Sequence, residues 1–135
     1  MKYLLDTDAL SEPAKRGPSE TVVAKLREHS HELAMSVVSV GEIVFGARRV
    51  AGGQRYLDYL SEVVLPRVPV LAMDVAVAIR YGELRAVLEN EGQPLADLDL
   101  LIAATALENN LTLVSGNLRH FRRVPGLQLA NWFGR

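Results

Sequence analysis

Short apolar runs recur along the chain, and each one ends at a polar or turn-forming residue. Runs of this kind, rich in leucine and valine and with little alternation, are typical of strands buried on both faces of a parallel sheet. The predicted strands cover residues 2–5, 32–39, 68–74, 111–116 and 127–132.

The stretches between these runs repeat apolar residues at helical spacing. Ser19 is a favourable N-cap for the first stretch, and Gly92 a favourable end for the longest. The predicted helices cover residues 20–29, 40–50, 54–65, 75–92 and 99–110. Strands that alternate with helices predict an α/β fold, here a three-layer α/β/α sandwich with a mostly parallel central sheet. We expect residues 1–135 to form a single domain, because the length suits one domain.

Composition narrows the class of protein. The chain has 15 basic and 16 acidic residues, which argues against binding of nucleic acid by bulk charge alone. It has no cysteine, so disulfides and thiolate metal sites are excluded. No stretch reaches the ~20 apolar residues of a membrane span, and the N-terminal run is too short for a signal peptide. We therefore expect a cytoplasmic protein with no membrane partner.

Three acids stand where the carboxyl ends of the strands predict a ligand site: Asp6, Glu42 and Asp99. Two like charges ~4 Å apart repel by about 4 kcal/mol at an effective dielectric of ~20, so protons or a cation must relieve the cluster. Hard oxygen ligands favour Mg²⁺ or Mn²⁺, which suit phosphodiester hydrolysis. Asp6 is the acid that a capping role explains least, whereas we expect Asp8 at the entry to a helical segment.

Structural roles compete with ligand roles for the other acids. Ser39 and Glu42 have the spacing of a capping box, in which the glutamate closes the first turn of a helix. Asp97 or Asp99 could cap the helix that follows. The residues alone leave these alternatives open.

Four segments carry a resemblance to a known family: "YLLDTDALSE", "SVVSVGEIVFGARR", "DLDLLIAATAL" and "TLVSGNLRHF". In their order and spacing they resemble the PIN domain family, in particular the VapC-type ribonuclease toxins of toxin-antitoxin pairs. The resemblance spans nearly the whole chain. It implies that Asp6, Glu42 and Asp99 are catalytic metal ligands. It also implies that Asp97 is an accessory acid and that Thr7 orients a carboxylate or a water molecule.

The resemblance has one departure, after the fourth predicted strand. Where many members carry a further acid, this chain has Asn117, which offers an amide oxygen but no charge. The resemblance implies RNA cleavage that depends on Mg²⁺ or Mn²⁺, a partner antitoxin and a homodimer. Arg119, His120 and Arg122 directly follow the proposed site segment and are candidate contacts to RNA phosphates.

Other functions share some of these features. The "DTD" segment also resembles the haloacid dehalogenase-like phosphatases, with Asp6 as covalent nucleophile. That chemistry, like that of receiver-type phosphoacceptor domains, expects a later lysine, and the last lysine of this chain is Lys25. A noncatalytic RNA- or protein-binding module on the same fold is the alternative from a different class. It leaves the coincidence of acids at strand ends unexplained.

Overall fold

A five-stranded sheet forms the middle of the fold in the computed structural model, which describes residues 1–134. Its strands are β1 (Tyr3–Leu5), β2 (Leu33–Ser36), β3 (Val70–Leu71), β4 (Thr112–Val114) and β5 (Leu129–Ala130). Their order across the sheet is β3-β2-β1-β4-β5, and every pairing is parallel. All the carboxyl ends therefore lie at one edge, with β1 in the centre.

Helices supply the crossovers that parallel strands require. They are α1 (Thr7–Ser11), α2 (Glu20–Glu28), α3 (Val37–Arg48), α4 (Gln54–Tyr59), α5 (Val75–Asn90), α6 (Asp97–Glu108) and α7 (Leu118–Phe121). A 3₁₀ turn at Glu12–Ala14 extends α1, and a π-helical turn at Leu60–Val64 extends α4. For α1 the sequence predicted a helical segment after Asp6 but not its bounds, and α7 was not predicted, because four or five residues are too few to show a helical period. No helix in this described part of the chain has the length and apolar content needed to cross a membrane.

Each face of the sheet is covered by its own apolar core. Successive strand residues point to opposite faces, so Leu4 and Leu5 of β1 enter different cores. The core with Leu4 includes residues from α5, α6 and α7, among them Leu88, Ile102 and Phe121. The core with Leu5 includes residues from α1, α2, α3 and the π turn, among them Leu10, Val22, Ile43 and Leu60. This arrangement confirms the predicted three-layer α/β fold.

The boundary between β2 and α3 differs from the prediction. The apolar run at residues 32–39 predicted one strand, but β2 ends at Ser36 and the helix begins at Val37. The hydroxyl of Ser36 accepts a hydrogen bond from the Val38 N–H and caps the helix. Ser39 is therefore buried inside α3, and the alternative in which Ser39 and Glu42 form a capping box is excluded. The valines around the cap suggested a strand, because β-branched residues are common in strands. In the fold, packing of the helix outweighs this preference.

A close backbone approach holds α4 against the end of α3. Gly53 precedes α4 and has φ −67° and ψ −16°, which any residue can adopt. A Cβ atom at this position would overlap the carbonyl oxygen of Ala47 and lie 2.6 Å from its carbonyl carbon. The glycine is thus required by space and not by its dihedral angles.

We expect Gly53→Ala to lower the free energy of unfolding by about 1–3 kcal/mol, because the backbone of α3 must move to admit a methyl group. Gly82→Ala in α5 is the matched control: a Cβ there meets nothing within 4 Å. It should raise the stability by about 0.5–1 kcal/mol, the usual gain of alanine over glycine inside a helix. Urea unfolding of the two variants measures both effects. Equal stability of the variants would contradict the close approach.

Candidate active site

The carboxyl ends of the three central strands carry the candidate site. Asp6 directly follows β1, and Ser115 directly follows β4, its neighbour in the sheet. On the other side, β2 leads into α3, which carries Glu42. Ligand sites of open parallel sheets lie at this edge, as predicted.

Asp6 is held by hydrogen bonds from two distant parts of the chain. Its Oδ1 accepts from the backbone N–H of Thr7 at 2.8 Å, which makes it the N-cap of α1. Its Oδ2 accepts from the hydroxyl of Ser115 at 2.8 Å, and that hydroxyl also accepts from the N–H of Asn117. The sequence argued against a capping role for Asp6, and this was wrong. A single carboxylate both caps the helix and faces the site.

Glu42 approaches α1 through a pair of hydroxyl groups. The hydroxyl of Thr7 donates to Glu42 Oε1 at 2.5 Å, and it lies 3.1 Å from the hydroxyl of the buried Ser39. The contact joins the first helical turn after β1 to the helix after β2. Thr7 thus has the carboxylate contact that the family resemblance implied for it.

Two further acids face the same space. Asp99 lies in the first turn of α6 and is half-buried, and the N-cap of this helix is Ala96. The alternative in which Asp97 or Asp99 caps this helix is therefore excluded. Asp8 was expected only at a helix entry, and it does lie in the first turn of α1. Its Oδ2 accepts a hydrogen bond from the N–H of Gly116, which directs its carboxylate toward the end of β4.

Burial and mutual repulsion perturb these carboxyl groups. Burial raises the pKa of Asp6 to about 7, and the neighbouring charges of Asp8 and Asp99 act in the same direction. The hydrogen bonds from Ser115 and Thr7 oppose the rise without cancelling it. The pKa of Asp99 is also raised, mainly by burial and then by Glu42, with a smaller contribution from Asp8. Four carboxyl groups therefore share one electrostatic environment.

The remaining predicted residues fall into two groups. His120 faces the acids, because its charge lowers the pKa of Asp99, and its Nδ1 lies 3.0 Å from the amide nitrogen of Asn117. Asp97 instead accepts a hydrogen bond from the hydroxyl of Tyr81 and lies 3.4 Å from Arg85 of α5. Arg119 of α7 and Arg122, which directly follows this helix, are exposed and flank His120 in the chain.

The donor set suits a hard divalent cation, but its members are not gathered around one point. Carboxylate oxygens with upward-shifted pKa values are groups whose repulsion a cation would relieve. Across residues 1–134, no three Asp, Glu or His side chains stand close enough together to hold one metal ion as placed. One carboxylate oxygen of Glu42 accepts the hydrogen bond from the hydroxyl of Thr7.

Sequence reasoning missed two partners of the site. Among the neighbouring charges, Asp8 raises the pKa of Asp6 most, and Ser115 supplies the hydroxyl that donates a hydrogen bond to Asp6. The sequence did contain a signal for the role of Asp8: at a helix entry, the spacing of Asp6 and Asp8 places both carboxylates within one turn. The hydrogen bond from Ser115 could not be predicted from the sequence, because it depends on the pairing of β1 with β4.

Comparison with known proteins agrees with this geometry. The family model of the PIN domain matches residues 3–127. Ribonuclease VapC2 of Haemophilus influenzae is 31% identical, and the tRNA(fMet)-specific endonuclease VapC of Salmonella typhimurium is 30% identical; each alignment covers 98% of both chains. The structure of VapBC2 from Rickettsia felis, bound to a DNA fragment from its promoter, superposes with a TM-score of 0.87 at 29% identity, over 98% of this chain and 99% of that one. The chain therefore belongs to the PIN domain family.

Proposed function

We propose that this protein is a metal-dependent endoribonuclease and the toxin of a toxin-antitoxin pair. The observation that carries the proposal is the group of carboxyls at the carboxyl edge of the sheet, in which Asp6 has a pKa of about 7. The names of the relatives, which are ribonucleases, support RNA as the substrate. Action on cellular RNA would place the protein in the cytoplasm.

In this proposal Asp6, Glu42 and Asp99 hold Mg²⁺ or Mn²⁺. When bound, the ion would activate water for attack and neutralise charge on the phosphate. Ser115 and the Thr7 N–H hold Asp6 in place, so that its carboxylate is directed at the site before an ion is bound. The Thr7 hydroxyl positions Glu42 at the opposite side.

Asp8, Asn117 and His120 complete the edge. Asn117 supplies no charge where many family members have an acid, and Asp8 contributes a fourth carboxylate from the first turn of α1. His120 is held beside Asn117 and faces Asp99. We propose that His120 contacts a phosphate of the substrate, together with the exposed Arg119 of the same helix and Arg122 directly after it.

The structure disfavours Asp6 as a covalent nucleophile for phosphate esters. Both of its oxygens accept hydrogen bonds, and its side chain is only 8% exposed. Its raised pKa keeps a large fraction of the carboxyl protonated near neutral pH, and a protonated carboxyl is a poor nucleophile. Metal ligation fits these properties better, because an ion displaces the proton.

A groove on the other side of α1 is the proposed site for the antitoxin. It has a volume of about 350 Å³ and lies between α2 and the π turn after α4. Its walls are mostly apolar, including Leu26, Val23 and Val63, and Arg27 and Arg67 also line it. This chemistry fits an amphipathic helix with acidic residues at its margin. Self-association stays a prediction, for which the exposed Val75 and Ile79 of α5 offer an apolar surface.

The proposed activity is tested on a mixed RNA pool with purified protein in Mg²⁺, in Mn²⁺ and in EDTA. We expect cleavage only with metal. Because loss of residues that merely support metal ligands costs about 10–100-fold, Asp6→Asn and Asp99→Asn should each lower the rate by at least this much. Asp97→Asn is the matched control, since Asp97 lies two residues from Asp99 but contacts Tyr81 and Arg85. Full activity of Asp99→Asn, or activity in EDTA, would refute the proposal.

Metal-free stability should depend on pH through Asp6. Its pKa is 3.8 ordinarily and about 7 in the fold, so between these values the folded state binds more protons than the unfolded state. The free energy of unfolding must then fall as pH rises from about 4 to about 7 and level off above, by at most about 4 kcal/mol. Asp6→Asn removes this group, so we expect a shallower fall and higher stability than wild type at pH 8.

Urea unfolding in EDTA at several pH values measures the effect. Addition of Mg²⁺ at pH 8 should restore stability to the wild type, because a ligand at a hundred times its Kd adds about 2.7 kcal/mol. Asp6→Asn should gain much less from the ion. Parallel pH profiles for the two proteins would contradict the burial and repulsion assigned to Asp6.

A further inference from the structure

Two connected pockets lead away from the acids along the outer side of α3. The first, of about 290 Å³, begins at Thr7 and Glu42 and continues to Val50 and Tyr56. The second, of about 490 Å³, shares Val50 and Tyr56 with the first and ends at three cationic side chains, Lys15, Arg16 and Arg55. The surface thus changes from acidic, through apolar and aromatic, to basic along one continuous path.

The basic end is positioned by a buried carboxylate. Glu12 is only 5% exposed, and its Oε1 lies 3.1 Å from the ammonium of Lys15. Its Oε2 accepts a hydrogen bond from the N–H of Ser19 at 2.9 Å. Both ends of the loop at residues 15–19 are therefore bound to one fixed charge, which holds Lys15 and Arg16 next to α4.

Lys15 pairs with Glu12, but the two arginines of this end have no acidic partner among the described residues. No acid lines the second pocket, and among residues 1–134 no carboxylate lies within 4.0 Å of Arg16 or Arg55. The arginines on the opposite side of the molecule differ: Arg80 pairs with Glu108, and Arg85 pairs with Glu89. Exposed guanidinium groups without a carboxylate are available for phosphate oxygens, which they bind with parallel hydrogen bonds.

We propose that Lys15, Arg16 and Arg55 form a second phosphate-binding site, which holds the RNA backbone on one side of the bond that is cleaved. The inference rests on the proposed ribonuclease function. A single strand with one phosphate at the acids would pass over Val50 and Tyr56, where the tyrosine ring offers a surface to a base, and place a later phosphate among the cations. The protein would in this way bind RNA tightly although its overall charge is near zero.

The test compares two double variants, each in the Asp99→Asn protein and in EDTA so that RNA is bound but not cleaved. Arg16→Gln with Arg55→Gln removes two cations of the site. Lys2→Gln with Lys25→Gln removes the same charge from the residue before β1 and from α2, both exposed and outside the second pocket. The probe is a short fluorescein-labelled single-stranded RNA of mixed sequence, and its anisotropy gives Kd at several salt concentrations.

We expect the first double variant to raise Kd about tenfold at low salt and to reduce the slope of log Kobs against log salt by about 1.4, since each lost phosphate contact on a single strand removes about 0.7. The control should keep the parent slope. Equal slopes for the two double variants, with RNA bound by both, would overturn the second phosphate site alone. If the parent protein neither binds this RNA nor cleaves RNA with metal, the proposed function fails, and this inference fails with it.

Discussion

The Asp6 carboxylate connects the central strand of the sheet to its neighbour, and the geometry of the candidate site depends on this connection. Its two oxygens accept from the N–H that starts α1 and from the Ser115 hydroxyl that follows β4. Because Ser115 also accepts from Asn117, the direction of the chain after β4 is set by the same carboxylate. Moving Asp6 would therefore move the first turn of α1, with Thr7 and Asp8, and the segment that carries His120.

The same connection is costly when the carboxyl groups are ionised. Burial and the charges of Asp8 and Asp99 all favour the protonated form of Asp6, so its ionised form opposes folding. The two cores offset this cost, since full burial of one leucine or valine contributes about 1.5–3 kcal/mol. Local cost with compensation elsewhere is the pattern expected of a functional site.

Charge is segregated on the surface that surrounds the acids. Negative groups converge at the strand ends, whereas the cations near them come from other elements: the loop after the 3₁₀ turn, α4 and α7. Such a pattern suits a polyanion that must reach a negatively charged centre, because the cations attract the phosphates that flank the centre. The family match and the ribonuclease relatives agree with this interpretation.

The sequence by itself determined the alternation of strands and helices, the three-layer class and the edge where Asp6, Glu42 and Asp99 lie. These features depend on local periodicity and on the rule that parallel strands end together, both of which can be read along the chain. Only the tertiary structure decided that Ser115 binds Asp6, that Asp8 joins the acids, that Asp97 turns toward Tyr81 and that Arg55 meets Lys15 and Arg16. Those contacts join residues distant along the chain or depend on which way a side chain points, and neither leaves a periodic signal. The start of α3 was mistaken for the same reason, since the serine that caps it lies within an apolar run and only the packed helix selects it.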